Sequence, residues 1–98
     1  MPMRISEAQE LIRRIYGERD RKRGVKGTAL HLGEELGELF RSLRTSDDDN
    51  LREEFADVLA WLLSLADLLS VDLESAFVER YGKGCPKCGS IPCRCPEV

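Results

Sequence analysis

GEELGELFRSLRTSDDDNLREEFADVLAWLL, residues 33–63, decides how the rest of the chain is read. At about 100° per helical residue, Glu34, Glu35 and Glu38 share one side of a first segment. Beside them runs an apolar stripe of Leu32, Leu36, Leu39, Phe40 and Leu43. A second segment repeats the arrangement. Its stripe is Leu51, Phe55, Val58, Leu59, Leu62 and Ala66, with Glu54 and Asp57 at the edge. If the stripes pack as a helical hairpin, their borders meet and Glu35, Glu38, Glu54 and Asp57 converge half-buried. Unpaired carboxylates in such a place are costly. No Lys or Arg occupies either border, so a bound divalent metal is the simplest compensation.

The donor set narrows the metal. Residues three apart on a helix have Cβ atoms about 5–6 Å apart. Glu35/Glu38 and Glu54/Asp57, facing each other, therefore make an all-oxygen cage. Mg²⁺ or Mn²⁺ prefers such ligands. Di-iron bundles also use helix carboxylates, but they add a Glu-x-x-His pair from each of two helices. This chain has one histidine, His31, placed ahead of the glutamates, which disfavours iron. Because Mg²⁺ usually completes its shell with phosphate oxygens, the expected substrate is a nucleotide or another polyphosphate.

Bulk properties set the outer bounds. Ninety-eight residues, 42% hydrophobic and 34% charged, suit one soluble, helix-rich domain. A net charge of −3 gives no global attraction to nucleic acid or anionic membrane. The most apolar stretch, Phe55 to Val71, is interrupted by Asp57, Ser64, Asp67 and Ser70, which argues against a membrane span. The N-terminal MPMRISEAQELIRR has no apolar signal core, so a cytoplasmic location is expected. The core available to so short a chain is small, and a metal or self-association commonly supplements it.

About four helices are expected. Ser6 with Gln9 reads as a capping box for a first helix ending near Tyr16 or Gly17. Glu18 to Gly27 then reads as a loop. It carries Arg19, Arg21, Lys22, Arg23 and Lys26 against two acidic residues, either as a solvated segment or as a basic loop beside a polyanionic substrate. Thr28 is placed to cap the second helix, running to Leu43 or Arg44. Thr45 to Asn50 forms a turn, with Asp47, Asp48 and Asp49 meeting the next helix N-terminus as structural rather than ligating groups. Asn50 and Glu53 suggest a capping pair for a third helix, Leu51 to about Leu69. Asp72 caps a last helix, Leu73 to Tyr81. His31 reads as a surface residue bonded to Glu34 or Glu35, with a direct site role as the sharper alternative. Trp61, four residues past Asp57, reads as core or interface packing, with stacking on a base as the alternative.

The C-terminus has a different chemistry. CPKCGSIPCRC places Cys85, Cys88, Cys93 and Cys95 as C-x2-C-x4-C-x-C, with Gly89 and Pro92 supplying turns. Four thiolates so close suit tetrahedral Zn²⁺. Two disulfides are the competing reading, disfavoured in a cytoplasmic chain. With no open coordination position, such zinc is structural. The near-neutral balance of the tail and its metal argues against a nucleic-acid finger.

Glu34-Glu35-x-x-Glu38 followed after 15 residues by Glu54-x-x-Asp57 resembles the E-E-x-x-E … E-x-x-D signature of the MazG-like, all-α nucleoside triphosphate pyrophosphohydrolases. The resemblance runs over residues 7–82, through Asp20, Arg23-Gly24, GEELGEL, EEFADVLAWLLSLAD and VDLESAF. It implies Mg²⁺-dependent hydrolysis between the α and β phosphorus atoms, giving a nucleoside monophosphate and pyrophosphate. It implies a helical bundle completed by a homodimer or homotetramer, with active sites near the interface. By motif position, Glu35, Glu38, Glu54 and Asp57 would ligate the metal, and Glu34 would hold water or act as base. Lys22, Arg23, Lys26 and Trp61 are the substrate-binding candidates. Two positions depart from the pattern: Asp67 stands where Asn is frequent, and Arg80 where Lys is common.

The expected organisation is thus an all-α catalytic domain over residues 1–82 and a four-cysteine zinc-binding tail over 83–98. A related dUTP/dUDP or phosphoribosyl-ATP pyrophosphatase would carry the same cage, because the cage recognises phosphate and not base. A catalytically silent helical module that binds a partner through its zinc tail is the rival of a different class.

Overall fold

The computed structural model describes residues 2–97; Met1 and Val98, the ends of the two expected segments, lie outside the described residues. Among the described residues three helices account for the fold: α1 (Ile5–Thr45), α2 (Asp48–Leu68) and α3 (Leu73–Tyr81). The expected first and second helices are the two limbs of α1. The expected loop at Glu18 to Gly27 is helical except at Gly24, whose φ of 81° and ψ of 174° break the helix. The reason is local. Arg, Lys and Glu are good helix formers, and a charge run alone does not unwind a helix. Only a residue without Cβ adopts the Gly24 geometry cheaply.

The caps also differ from the sequence expectation. Arg4 is the residue before α1, and its N–H donates to Glu7 Oε1 at 2.9 Å. Ser6 and Gln9 serve a longer-range purpose. The Ser6 N–H and hydroxyl both donate to Glu74 Oε1 at 3.2 Å. The buried Gln9 amide donates to the Val71 carbonyl at 2.7 Å and accepts from Leu73 N–H at 3.1 Å. The pair clasps the start of α3 to the start of α1. Thr28 is not a cap but a fully buried residue inside α1. At α2 the cap is Asp47, whose carboxylate accepts from Asn50 N–H at 3.2 Å. The Asn50 side-chain amide instead donates to the Ser42 hydroxyl. Helix α3 begins as expected, with Asp72 accepting from Glu74 and Ser75 N–H at 3.0 and 3.2 Å.

Helices α1 and α2 form the main packed pair, as the hairpin reading requires. The apolar stripes are wider than the contact between them. Leu39, Leu63 and Ala66 are the buried hydrophobic residues, while Phe40 and Phe55 remain 62% and 57% exposed. Leu30, Leu43 and Leu59 are also exposed. Asp20, Thr28, Ser42, Glu54 and Ser64 are buried, so much of the interior of this pair is polar. Among the described residues, no helix is long and apolar enough to cross a membrane.

Candidate active site

The second limb of α1 and the first half of α2 bring three acidic side chains together. Glu35, Glu54 and Asp57 each offer a carboxylate oxygen within 4.8 Å of the others. Glu54 is 9% exposed, and its Oε2 is buried without a hydrogen-bond partner. Burial is the main cause of a carboxyl pKa raised to about 7, and the carboxylates of Glu35, Asp57 and Glu38 add to it. Glu38 thus lies close enough to act on Glu54, although it is exposed and outside the tight group of three. Glu34 lies outside the group of three, with its Oε2 3.5 Å from His31 Nδ1.

This arrangement fits a hard divalent cation. Among the described residues, no Lys or Arg forms an ion pair with Glu35, Glu54 or Asp57. A buried carboxylate oxygen left without a donor carries a desolvation cost that a cation removes. Three carboxylates supply oxygen ligands and no nitrogen or sulfur, which suits Mg²⁺ or Mn²⁺ over softer ions.

Asp57 also lines an adjoining pocket of about 170 Å³. Tyr16, Arg19 and Arg23 come from α1, and Trp61 and Ser64 from α2. Arg23 is held from several sides. Its Nη1 lies 2.7 Å from Asp20 Oδ1 and donates to Thr28 Oγ1 at 3.4 Å, both partners being buried. Its guanidinium carbon lies 4.7 Å from the centre of the Trp61 ring. The His31 ring stacks on the same indole, with centroids 4.6 Å apart and planes 10° apart. The only tryptophan therefore sits at the junction of acidic cluster and basic pocket.

Of the expected substrate-binding residues, the structure puts Arg23 and Trp61 in this pocket. Lys22 lines a separate depression with Glu18 and Arg21, and Lys26 is exposed outside the pocket. Tyr16, Arg19 and Ser64 are pocket residues that the sequence pattern does not single out. A signal for the first two exists: Tyr16, Arg19 and Arg23 recur at three- and four-residue spacing, but a loop reading of the basic segment hides it. Asp67, one of the two departures, pairs with Arg13 at 2.6 Å and does not line the pocket.

The cysteine tail forms a second cluster. Cys85, Cys88, Cys93 and Cys95 have sulfurs all within 4.8 Å of one another. Their environments pull in opposite directions. Backbone N–H groups of Arg94 and Ser90 bring the Cys88 thiol down to about 6. The crowding sulfurs of Cys93, Cys85 and Cys88 push Cys95 up to about 11.

The chain is thus an all-α hairpin with a carboxylate cluster whose donor set would suit a divalent cation, beside a pocket lined by arginines and an indole. The profile of the MazG nucleotide pyrophosphohydrolase domain matches residues 23–89, and the chain belongs to that family. A search among curated proteins finds no match.

Proposed function

We propose that the chain is a Mg²⁺-dependent pyrophosphohydrolase that cleaves nucleoside triphosphates between the α and β phosphates. Water adds across the Pα–O–Pβ bridge, and the products are a nucleoside monophosphate and pyrophosphate. The observation that carries the reading is the orphaned Glu54 Oε2 inside a carboxylate cluster that shares Asp57 with the arginine- and tryptophan-lined pocket.

Glu35, Glu54 and Asp57 would hold the ion, and Glu38, on the exposed side, would be the further carboxylate available to it. When bound, Mg²⁺ or Mn²⁺ orients phosphate oxygens, offsets their charge and acidifies water. Glu34, with its Oε2 3.5 Å from the His31 imidazole, accepts the proton that the attacking water gives up. Arg23, held by Asp20 and Thr28, points its remaining donors at phosphate oxygens, and Arg19 supports it. Trp61, already faced by His31 and Arg23, offers its ring to the base when one of them gives way.

Self-association completes this reading. Phe40, Phe55, Leu30 and Leu59 are too exposed and too numerous for a lone hairpin, and a second copy covers them in a homodimer or homotetramer. The base and sugar preferred are a property of the pocket, so dUTP/dUDP and phosphoribosyl-ATP belong in the same substrate panel.

The test is pyrophosphate release from that panel and from the common NTPs and dNTPs, with Mg²⁺ and with EDTA. Equal yields of monophosphate and pyrophosphate from the triphosphates, and of monophosphate and orthophosphate from dUDP, all abolished by EDTA, are expected. Release of orthophosphate from a triphosphate instead, or no turnover of any nucleotide by folded protein, overturns the proposal. The second outcome favours the silent helical module.

A further inference from the structure

The thiol cluster lies apart from the carboxylate site and has no part in the reaction above. Cys85 Sγ is 3.7 Å from Cys95 Sγ and 3.6 Å from Cys93 Sγ, and Cys88 Sγ is 4.0 Å from Cys93 Sγ. A tetrahedral ion with arms of about 2.3 Å separates its sulfur ligands by about 3.8 Å. A disulfide requires about 2.05 Å, well short of every one of these separations. The sulfurs are also supplied with donors. Arg94 N–H donates to Cys88 Sγ at 3.3 Å and Cys95 N–H to Cys93 Sγ at 3.4 Å, the backbone amide contacts usual around clustered sulfur ligands.

The backbone is shaped around the sulfurs. Gly89, at φ 72°, donates its N–H to the Cys85 carbonyl at 2.6 Å, and Cys85 N–H donates to the Ser90 carbonyl at 3.1 Å. Gly84, at φ 111°, lets this loop fold back on the end of α3; a Cβ there would lie 2.9 Å from Ile91 Cγ1 and 3.1 Å from the Ser90 carbonyl oxygen. Hydrophobic burial does not explain the order. No residue from Cys85 to Glu97 is buried, and Ile91 is 82% exposed. A segment with no core needs another source of order.

We infer that Cys85, Cys88, Cys93 and Cys95 bind one Zn²⁺ as thiolates, in a closed tetrahedral site that folds the segment following α3. Thiolates select a soft or borderline cation, whereas the carboxylate cluster selects a hard one. The chain therefore carries two metal centres that do not compete for the same ion. All four zinc positions are filled by protein, so no place is left for water or substrate and the ion is structural.

The experiment is metal analysis of the full chain purified without added metal, followed by Co²⁺ exchange. One zinc per chain is expected, and the Co²⁺ form should show the intense visible bands of a tetrahedral tetrathiolate. Cys88→Ser and Cys93→Ser should each reduce zinc to a small fraction while helical circular dichroism persists. Removing zinc from wild-type protein should raise amide exchange across residues 84–95 while leaving α1 and α2 protected. A native chain with four titratable thiols and no zinc, with disulfides, or with iron in place of zinc overturns the inference. So does a serine variant that keeps its full zinc.

Discussion

The imidazole of His31 lies parallel to the indole of Trp61, with 4.6 Å between ring centres, while the Arg23 guanidinium lies 4.7 Å from the same indole. One residue from each side of the Gly24 break thus meets one residue of α2. The contact joins the basic limb of α1 to the limb that carries the glutamates.

Trp61 is the residue through which base binding should be read. Stacking on an aromatic ring contributes about 1–3 kcal/mol per base when lost to alanine. Trp61→Ala should raise KM for the preferred nucleotide by about 5- to 100-fold, with a smaller change in kcat. Nucleotide binding should also change the emission of this single tryptophan in the wild type. An unaltered KM in the alanine variant removes Trp61 from the binding surface.

Glu54 gives stability a distinctive dependence on pH. Its folded-state pKa is raised from 4.5 to about 7. Between these values the folded chain retains a proton that the unfolded chain has lost. The contribution is therefore full below about 4.5, declines as pH rises toward 7, and stays low beyond. In Mg²⁺-free buffer, wild-type Tm should fall between pH 5 and 8 relative to Glu54→Gln, and the variant should melt higher at pH 8. Added Mg²⁺ should restore the wild type and not the variant, whose turnover should drop by about 100-fold or more. Parallel pH profiles for the two proteins would contradict the burial of this carboxylate.

Gly24→Ala isolates backbone strain. No atom lies within 4 Å of a Cβ built there, so the substitution meets no steric clash. Its φ of 81° is nevertheless a conformation that alanine adopts at a cost of about 1–3 kcal/mol. Chemical denaturation should show a loss of that size. Equal stability would mean that the two limbs of α1 can join as a continuous helix.

Phe55 tests self-association. A charge on this exposed ring leaves the buried Leu39, Leu63 and Ala66 untouched. Phe55→Glu should shift sedimentation toward the monomer with helical content retained. A variant that keeps the wild-type assembly places the interface elsewhere.

Helix class and acidic spacing are legible in the sequence because both depend on the 3.6-residue period. Glu35, Glu54 and Asp57 meet as that period requires, and α3 runs over the expected Leu73–Tyr81. The four-cysteine cluster is equally legible, since the short span from Cys85 to Cys95 holds its sulfurs near one another whatever the rest does. The basic segment misleads because arginine and lysine are compatible with both a solvated loop and a helix, and its limits are set by one glycine. Ser6 and Gln9 have the spacing of a cap, but they are drawn to the start of α3 by a carboxylate 68 residues away and a carbonyl 62 residues away, respectively.

The sequence by itself determined which residues share a helix face, because that follows from local geometry. The tertiary structure decided which of those faces loses water. Glu54 is buried and Glu38 exposed although both border an apolar stripe, because the packing of α1 against α2 covers one of these positions and leaves the other open. The same packing set Arg23 and His31 against Trp61, a contact between residues far apart in the chain that no local period encodes.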